Sequence, residues 1–243
     1  MGNKRRTIGF DRTLELDWLD AAAAKVASGA SVADVRKYLW EYLDGVVRGD
    51  TSNSGRGKTV TVLTHIWSRV PRQAEALRDR AAPLVSEVEP EERVALHWAM
   101  VTATYPYFCD VATTVGQLLK LQGDFSVPHI TKRLGSRWGQ RQLVERTAQH
   151  VTRTMTHWGA LEATSRMSVF TQGRRWVVGR AGSGVLAEAV LIGTGEGSFP
   201  FERLASHPAL YPFELSLSVA AMRANSSFAV HREGSAETVV SLR

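Results

Sequence analysis

The fold is decided by residues 126–179, which read SVPHITKRLGSRWGQRQLVERTAQHVTRTMTHWGALEATSRMSVFTQGRRWVVG. Ser126 is a residue type that caps helices, and it precedes a short helical pattern that carries Ile130 and Leu134. The next five residues, GSRWG at 135–139, have glycine at both ends and predict a turn. The stretch therefore begins with a helix that ends in a turn.

A long helix and a hairpin are predicted after this turn. Residues 140–158 have helical periodicity, and Gly159 follows them as a stop signal. Residues 163–171 and 174–179 are predicted as two strands that are joined at Gln172-Gly173. Together with a helix predicted upstream, the order is helix, helix, turn, helix, hairpin, which is typical of a winged helix-turn-helix. The sequence thus predicts a mainly α protein with a small β component and a central winged helix-turn-helix.

The predicted long helix has two chemically distinct faces. One face is apolar and is expected to pack on the preceding helix; it consists of Val144, Ala148, Val151, Met155 and Trp158. The opposite face is polar and is expected to point outward; it consists of Gln142, Arg146, Gln149, Arg153 and His157. Arginine can donate two hydrogen bonds to guanine, and glutamine can pair with adenine. The outward face therefore suits the base edges of DNA.

Positive charge is concentrated in the same part of the chain. Residues 125–180 contain ten Lys and Arg against two acids, Glu145 and Glu162, a local balance of +8, whereas the whole chain carries +6. A patch of this sign and density is typical of a phosphate-binding surface. A GC-rich genome would explain the excess of 24 Arg over 6 Lys, but it would not explain the clustering.

The predicted DNA contacts fall into three groups by position. The helix and turn before the long helix are placed for phosphate contacts, the long helix for base edges, and the wing for the adjacent groove or backbone. In that order the predicted residues are Lys132, Arg133 and Arg137; Arg141, Gln142, Arg146, Gln149 and Arg153; and Arg166, Arg174 and Arg175. A polar face is also normal on any amphipathic helix, and winged helices also dock proteins, so a protein-binding role stays open.

The flanking parts of the chain differ in composition from the centre. Residues 1–88 contain several helical apolar patterns, separated by a glycine- and serine-rich loop at 45–57. Residues 181–243 combine glycine-rich stretches with short apolar runs. We therefore expect a helical N-terminal region at 1–88, a winged-helix domain at 89–180 and a small C-terminal α+β region at 181–243.

No catalytic or cofactor motif fits the chain. The segment SGRGKT at 54–59 is similar to a phosphate-binding loop, but Ser52 stands where that motif needs glycine. The seven histidines lack metal-ligand spacing, and Cys109 is expected to be a small buried apolar residue. We therefore expect a protein without enzymatic activity, metal or cofactor.

The cysteine count and the hydropathy pattern point to one compartment. Cys109 is the only cysteine, which excludes intrachain disulfides and suits a reducing cytoplasm. No run approaches the ~20 apolar residues of a membrane span, and no long apolar run follows the basic residues 4–6 as it would in a signal peptide. We expect a cytoplasmic protein that does not bind membranes.

Three segments resemble the BrxA family of BREX phage-defence operons. They are TVTVLTHIW at 59–67, ERVALHW at 92–98 continuing to YPYF at 105–108, and the helix at 140–161. The likeness lies in architecture and hydrophobic placement over residues 8–180. The resemblance implies a small cytoplasmic DNA-binding accessory protein of an antiviral operon, with other defence-operon proteins as partners and without catalysis of its own.

Two functions are compatible with these patterns. In the first, the protein binds double-stranded DNA through the winged helix and has no catalytic activity. In the second, it is a scaffold whose basic face docks an acidic partner in a multi-protein complex. An enzyme whose site is assembled from distant positions is a third and weaker alternative. DNA affinity that falls steeply with salt would separate the first function from the second.

Overall fold

Helices dominate the first half of the protein. The structure, a computed structural model, describes residues 9–139, 141–233 and 237–243. Six α-helices precede the first strand of this described part: α1 (Leu16–Ala27), α2 (Val32–Tyr42), α3 (Gly55–Trp67), α4 (Glu75–Glu87), α5 (Arg93–Thr104) and α6 (Pro106–Gln122). Local signals set several of the boundaries. Ser31, for example, accepts a hydrogen bond from the Asp34 N–H and so caps α2.

Short strands alternate with helices in the second half. The elements of the winged helix are β1 (Asp124–Ser126), α7 (Val127–Trp138), α8 (Gln142–His157), β2 (Leu161–Ala163) and β3 (Val169–Gln172). The remaining elements are β4 (Trp176–Val178), α9 (Arg180–Thr194), β5 (Ser198–Pro200), α10 (Phe201–Ala205), β6 (Phe213–Leu215), α11 (Val219–Ala224), β7 (Phe228–Glu233) and β8 (Glu237–Leu242). The protein is therefore mainly α with a small β component, which confirms the predicted fold class.

The core is organised around α5, which is buried along nearly its whole length. α9 packs against it at close range, since a Cβ on Gly193 would lie 2.5 Å from the Thr102 carbonyl oxygen. Trp98 of α5 donates a hydrogen bond to the Ala209 carbonyl at 3.0 Å, and its ring meets Phe108 of α6 edge-on. One hydrophobic cluster contains buried residues from all three regions that the sequence predicts. The division into those three regions stays a prediction.

The centre of the chain has the winged-helix order α6, β1, α7, α8, β2, β3. β3 lies between β1 and β2 and pairs antiparallel with both. Phe125 of β1 stands opposite Phe170 of β3, and their rings stack at 5.8 Å. The predicted order of three helices and a hairpin is therefore present. The turn predicted at 135–139 is wrong, because α7 extends to Trp138 and only Gly139 of those five residues lies outside the helix.

The hairpin itself differs from its predicted position. β2 and β3 enclose a turn at 164–168, so the hairpin predicted between strands at 163–171 and 174–179 is wrong. Gly173 does not form the turn. A Cβ there would lie 2.3 Å from the Gly159 carbonyl oxygen, so the glycine permits a close approach of two backbones. β4, which falls in the second predicted strand, pairs in parallel with β6 instead.

The C-terminal region forms a further small sheet, the third among the described residues. β8 lies between β5 and β7 and is antiparallel to both. The glycine-rich residues 181–184 lie within α9, where Ser183 Oγ donates a hydrogen bond to the Val178 carbonyl at 3.0 Å. None of the helices in the described ranges is both long and apolar enough to cross a bilayer.

Candidate nucleic-acid interface

α8 is fixed by its apolar face. The five residues predicted for that face are all buried, namely Val144, Ala148, Val151, Met155 and Trp158. At the start of α8, the Tyr107 hydroxyl of α6 donates a hydrogen bond to the Val144 carbonyl at 2.8 Å. The Tyr107 ring also meets Trp138 of α7 edge-on. α8 is therefore held by both preceding helices of the winged helix.

The opposite face of α8 is open to solvent, as the sequence predicts. All five of its predicted residues are exposed: Gln142, Arg146, Gln149, Arg153 and His157. His157 differs from the others because its Nδ1 lies 2.8 Å from Glu15 Oε1. Leu143, in the first turn of α8, is about half exposed. The open face therefore offers amide and guanidinium groups with one apolar side chain beside them.

Five of the predicted basic residues have no ion-pair partner within the described ranges. They are Lys132, Arg133, Arg141, Arg146 and Arg153; all are exposed, and no described carboxylate lies within 4.0 Å of their charged atoms. An open groove of about 510 Å³ between α7 and the start of α8 is lined by Lys132, Arg141 and Gln142, together with Glu145. These cations are free to meet an external anion.

Arg137 has a structural partner. Its Nη1 donates to Asp110 Oδ1 of α6 at 2.7 Å, and the neighbouring Trp138 Nε1 donates to Asp110 Oδ2 at the same distance. A carboxylate that accepts both bonds fastens the end of α7 to α6. Arg137 is about four-tenths exposed, but its charge is already balanced at this contact.

The three arginines predicted for the wing also have carboxylate partners. Arg166 forms an ion pair with Asp124, Arg174 with Glu91 at 2.6 Å, and Arg175 with Glu214 at 3.5 Å. These acids and Asp110 lie outside residues 125–180. Each of these four acids cancels one positive charge, so together they reduce the local charge balance from +8 to +4. Arg174 and Arg175 also lie beyond β3, so their predicted place beside the wing tip is wrong.

The wing tip presents an apolar side chain. Met167 is 93% exposed, whereas Arg166 next to it is held by Asp124 of β1. Ser168 has φ +60°, in the left-handed region that is uncommon for residues with a side chain. The Thr164 Oγ1 accepts a hydrogen bond from the Arg166 N–H and helps to shape the turn. Met167 was missed from sequence because the turn was predicted at the wrong place.

A segment from the N-terminus covers one flank of α8. A Cβ on Gly9 would lie 3.1 Å from Thr147 Cγ2. Farther along, the Leu14 N–H donates to Thr154 Oγ1 at 3.1 Å, and Trp158 Nε1 donates to the Leu14 carbonyl at 2.8 Å. Residues 9–15 therefore run beside α8 between these two anchor points. No local sequence signal indicates this contact, because the residues are about 140 positions apart.

His150 lies on α8 between the two anchor points. It is partly buried, and its Nδ1 is inaccessible and has no hydrogen-bond partner among the described residues. Burial lowers the pKa of His150, and the charge of Arg153 lowers it further. Arg12 and Arg146 act in the same direction, and Asp11 acts against them. His150 was recognisable from sequence by its spacing, since it is four residues after Arg146 and three before Arg153.

Reactive side chains elsewhere are engaged or buried. Burial and the neighbouring Asp110 raise the pKa of the Cys109 thiol to about 12, so the thiolate is absent at neutral pH. Buried His97 has its Nε2 2.9 Å from Asp20. Burial opposes ionisation of Asp20, but the hydrogen bond with His97 and the charge of Arg93 lower its pKa overall. Among the described residues, no group of three or more His, Cys, Asp or Glu could hold a metal ion.

Comparison with known proteins leaves the chain without an assigned family. No protein-family model, no curated protein and no solved structure matches it.

Proposed function

We propose that the protein binds double-stranded DNA and inserts α8 into the major groove. The observation that carries this proposal is the open face of α8, on which Arg146 and Arg153 have no described carboxylate partner. α8 has 16 residues and is roughly 24 Å long, and its diameter of about 10–12 Å fits a B-form major groove, which is about 12 Å wide. Gln142 and Gln149 on the same face can pair with adenine, and the guanidinium groups can donate to guanine or to phosphate.

The surrounding cations supply the binding that does not depend on sequence. Lys132 and Arg133 project from α7, and Arg141 lies at the start of α8 on the same groove as Lys132. Phosphate contacts from such positions fix the register of a recognition helix on the duplex. The four arginines that are paired within the protein contribute less, because DNA would have to displace a carboxylate that they already bind.

The biological setting follows from the resemblance to the BrxA family. We propose a cytoplasmic accessory protein of an antiphage defence operon, with other proteins of that operon as partners. In this role the protein positions DNA or marks it and performs no chemical step.

A second function is favoured by one observation. Leu143 is about half exposed beside the free arginines, and an exposed apolar residue framed by charge is a common feature of protein-docking surfaces. The alternative is therefore a scaffold subunit that docks an acidic partner on the same face of α8.

Fluorescence anisotropy of a labelled ~20-base-pair duplex, about two helical turns, tests the proposal. Salt is varied from about 50 to about 200 mM, because each phosphate contact contributes about −0.9 to the slope of log K against log salt. Five free cations predict a slope of about −4.5. Absence of binding at low salt would reject the DNA-binding function and favour the scaffold function. The scaffold function predicts a stable complex with another protein encoded by the same operon.

A further inference from the structure

A polar cavity lies where α6 meets residues 194–208. Its volume is about 380 Å³, within the range of small-molecule sites. α6 contributes Asp110, Thr113 and Gln117, which are three and four positions apart and so share one face of the helix. The C-terminal ends of α7 and α9 and residues up to 208 complete the wall. Apart from Pro208, each described lining residue is polar or charged, so the cavity suits a polar ligand.

His207 brings a buried and unused donor to this cavity. The residue lines the cavity and is only 7% exposed. Its Nδ1 accepts a hydrogen bond from the Ala209 N–H at 3.2 Å, so the proton of the neutral ring is on Nε2. Nε2 has no hydrogen-bond partner among the described residues and is not sealed from solvent. Because the rest of the side chain is buried, this N–H can meet a ligand from the cavity.

The ring of His207 is uncharged at neutral pH. Burial lowers its pKa to about 4, and the charge of Arg203 acts in the same direction. The hydrogen bond from Ala209 accounts for the position of Nδ1, but it gives no role to Nε2. The fold therefore holds a neutral N–H donor in the wall and leaves it unpaired.

Arg203 adds a second donor next to His207. Its guanidinium carbon lies 4.7 Å from the ring centroid of Phe199, and the His207 ring meets the same Phe199 ring edge-on. One guanidinium nitrogen of Arg203 donates to Glu196 Oε1 at 3.3 Å. A guanidinium has five N–H donors, so others remain for a ligand. A common aromatic neighbour thus brings an imidazole and a guanidinium donor together.

The charges of the wall are balanced. Arg137 Nη1 donates to Asp110 Oδ1 at 2.7 Å, and Arg203 pairs with Glu196, so both guanidinium groups of the cavity already have a carboxylate. Each charge that is taken out of water without a countercharge has a large cost. A ligand with one negative charge therefore fits this wall better than a dianion does.

Three hydroxyl groups of the wall are left as acceptors. Each donates its hydrogen to the carbonyl four residues earlier in its helix, at distances between 2.6 and 2.8 Å. They belong to Thr113, Thr194 and Ser206. Since the hydrogens are engaged, the oxygen lone pairs are what these residues can offer to a ligand. Such acceptors are suited to hydroxyl groups on the ligand.

We propose that this cavity binds a small carboxylate that carries hydroxyl groups. The carboxylate accepts hydrogen bonds from His207 Nε2 and from the guanidinium of Arg203, and the hydroxyl groups of the ligand donate to the acceptor oxygens of the wall. Hydrogen bonds to an ionised group are stronger than those between neutral groups, so the carboxylate is the anchor. The cavity shares no residue with the five free cations of α7 and α8, so this inference does not depend on the proposed DNA-binding function.

The first test is NMR titration of the His207 ring in the full chain near pH 8. The probes are gluconate, hexanoate, which has the same carbon chain without hydroxyl groups, and inorganic phosphate, which is mainly a dianion at this pH. We expect gluconate to shift the Nε2 resonance in a saturable way and to bind about tenfold or more tightly than hexanoate or phosphate. Equal or tighter binding of hexanoate or phosphate overturns the ligand class. No shift with any probe overturns the site.

The second test compares variants by calorimetric titration with gluconate. His207→Asn keeps an acceptor for the Ala209 N–H but removes the Nε2 donor, and it is expected to weaken binding about tenfold. Arg203→Gln is expected to have an effect of similar size. Arg223→Gln, with the same charge change outside the cavity, is expected to leave affinity unchanged. Unchanged affinity in both cavity variants, or equal losses in Arg203→Gln and Arg223→Gln, overturns the assignment of these donors. Circular dichroism confirms that each variant folds, and the NMR titration of the wild type needs no variant.

Discussion

Replacing Arg146 and Arg153 together with alanine is the perturbation that most directly tests the recognition face. Both side chains are exposed and have no described carboxylate partner, so their removal breaks no internal ion pair. Alanine also has the highest helix propensity, so α8 is expected to remain intact. The matched control is Arg174→Ala with Arg175→Ala, which removes the same two charges from side chains that pair with Glu91 and Glu214.

The expected magnitude follows from the contacts that are lost. A charge-assisted hydrogen bond contributes about 1.5 kcal/mol or more, so two lost contacts weaken binding by about 3 kcal/mol, or about 150-fold. Two fewer phosphate contacts also reduce the salt slope by about 1.8. When the salt concentration rises from about 50 to about 200 mM, the affinity of the variant is therefore expected to fall by a factor about twelve times smaller than the affinity of the wild type. The control is expected to change affinity by less than about threefold.

Anisotropy with a labelled duplex measures the affinity and the salt slope. Circular dichroism with thermal unfolding confirms that each variant folds. Equal losses in the recognition variant and in the control would refute the reasoning, because they would show that only overall charge matters. Unchanged affinity in the recognition variant would reject α8 as the DNA-binding helix. A loss confined to the control would instead place the interface beyond β3.

Three further predictions concern the wing, the core and pH. Met167→Glu is expected to weaken DNA binding about fivefold in anisotropy, the effect of about 1 kcal/mol between like charges 4 Å apart in water. Gly116→Ala is expected to cost about 3 kcal/mol of unfolding free energy in urea, because its Cβ would lie 2.1 Å from the Pro208 carbonyl oxygen. His207→Asn is expected to flatten the fall of stability below pH 6.5, because burial lowers the pKa of His207 to about 4.

Each of these predictions has a control and a contrary outcome. Met167→Gln removes the apolar group without adding charge, and equal affinities for both Met167 variants and the wild type would place the wing away from DNA. Gly197→Ala meets no atom within 4 Å and is expected to change stability by less than about 0.5 kcal/mol. If Gly116→Ala is equally harmless, the packing of α6 on the 3₁₀ turn Pro208–Leu210 is looser than the structure has it.

The sign of the His207 effect follows from which state binds the proton first. The unfolded histidine titrates near pH 6.5 and the folded one near pH 4, so the unfolded state binds more protons between these values. Stability therefore falls as pH decreases through this window, by up to about 1.4 kcal/mol per pH unit. His207 Nδ1 accepts the Ala209 N–H, and asparagine can replace that acceptor without titrating. If the His207→Asn variant loses stability with decreasing pH as steeply as the wild type, the pH dependence must come from other buried histidines.

The two faces of α8 were predictable because helical periodicity is a local property. Every residue predicted for its buried face is buried, and every residue predicted for its open face is exposed. The cap at Ser31 and the order of elements in the winged helix follow from equally local signals. Where neighbours within a few residues decide the local structure, the sequence was sufficient to predict it.

Long-range packing decided what the sequence did not reveal. The Gln-Gly pair at 172–173 has the composition of a hairpin turn, but Gly173 is needed where the chain passes close to Gly159. Residues 181–184 have the composition of a loop, but they are helical because α9 is packed into the core. The acids that neutralise Arg137 and the wing arginines come from other elements, so counting charges along residues 125–180 overestimated the free positive charge.

The same long-range contacts also fix the position of α8 on the rest of the protein. Tyr107 of α6 and Leu14 of the N-terminal segment form hydrogen bonds with α8 near its opposite ends, in its first turn and its last turn. Since neither residue belongs to the helix pair α7–α8, the orientation of the open face depends on the whole N-terminal half of the protein. A surface that is held in place loses little conformational entropy on binding, so in the proposed complex more of the contact energy of the free cations is expected to appear as affinity. If α8 enters DNA as proposed, substitutions in α6 or in residues 9–15 are expected to change the affinity through the position of α8.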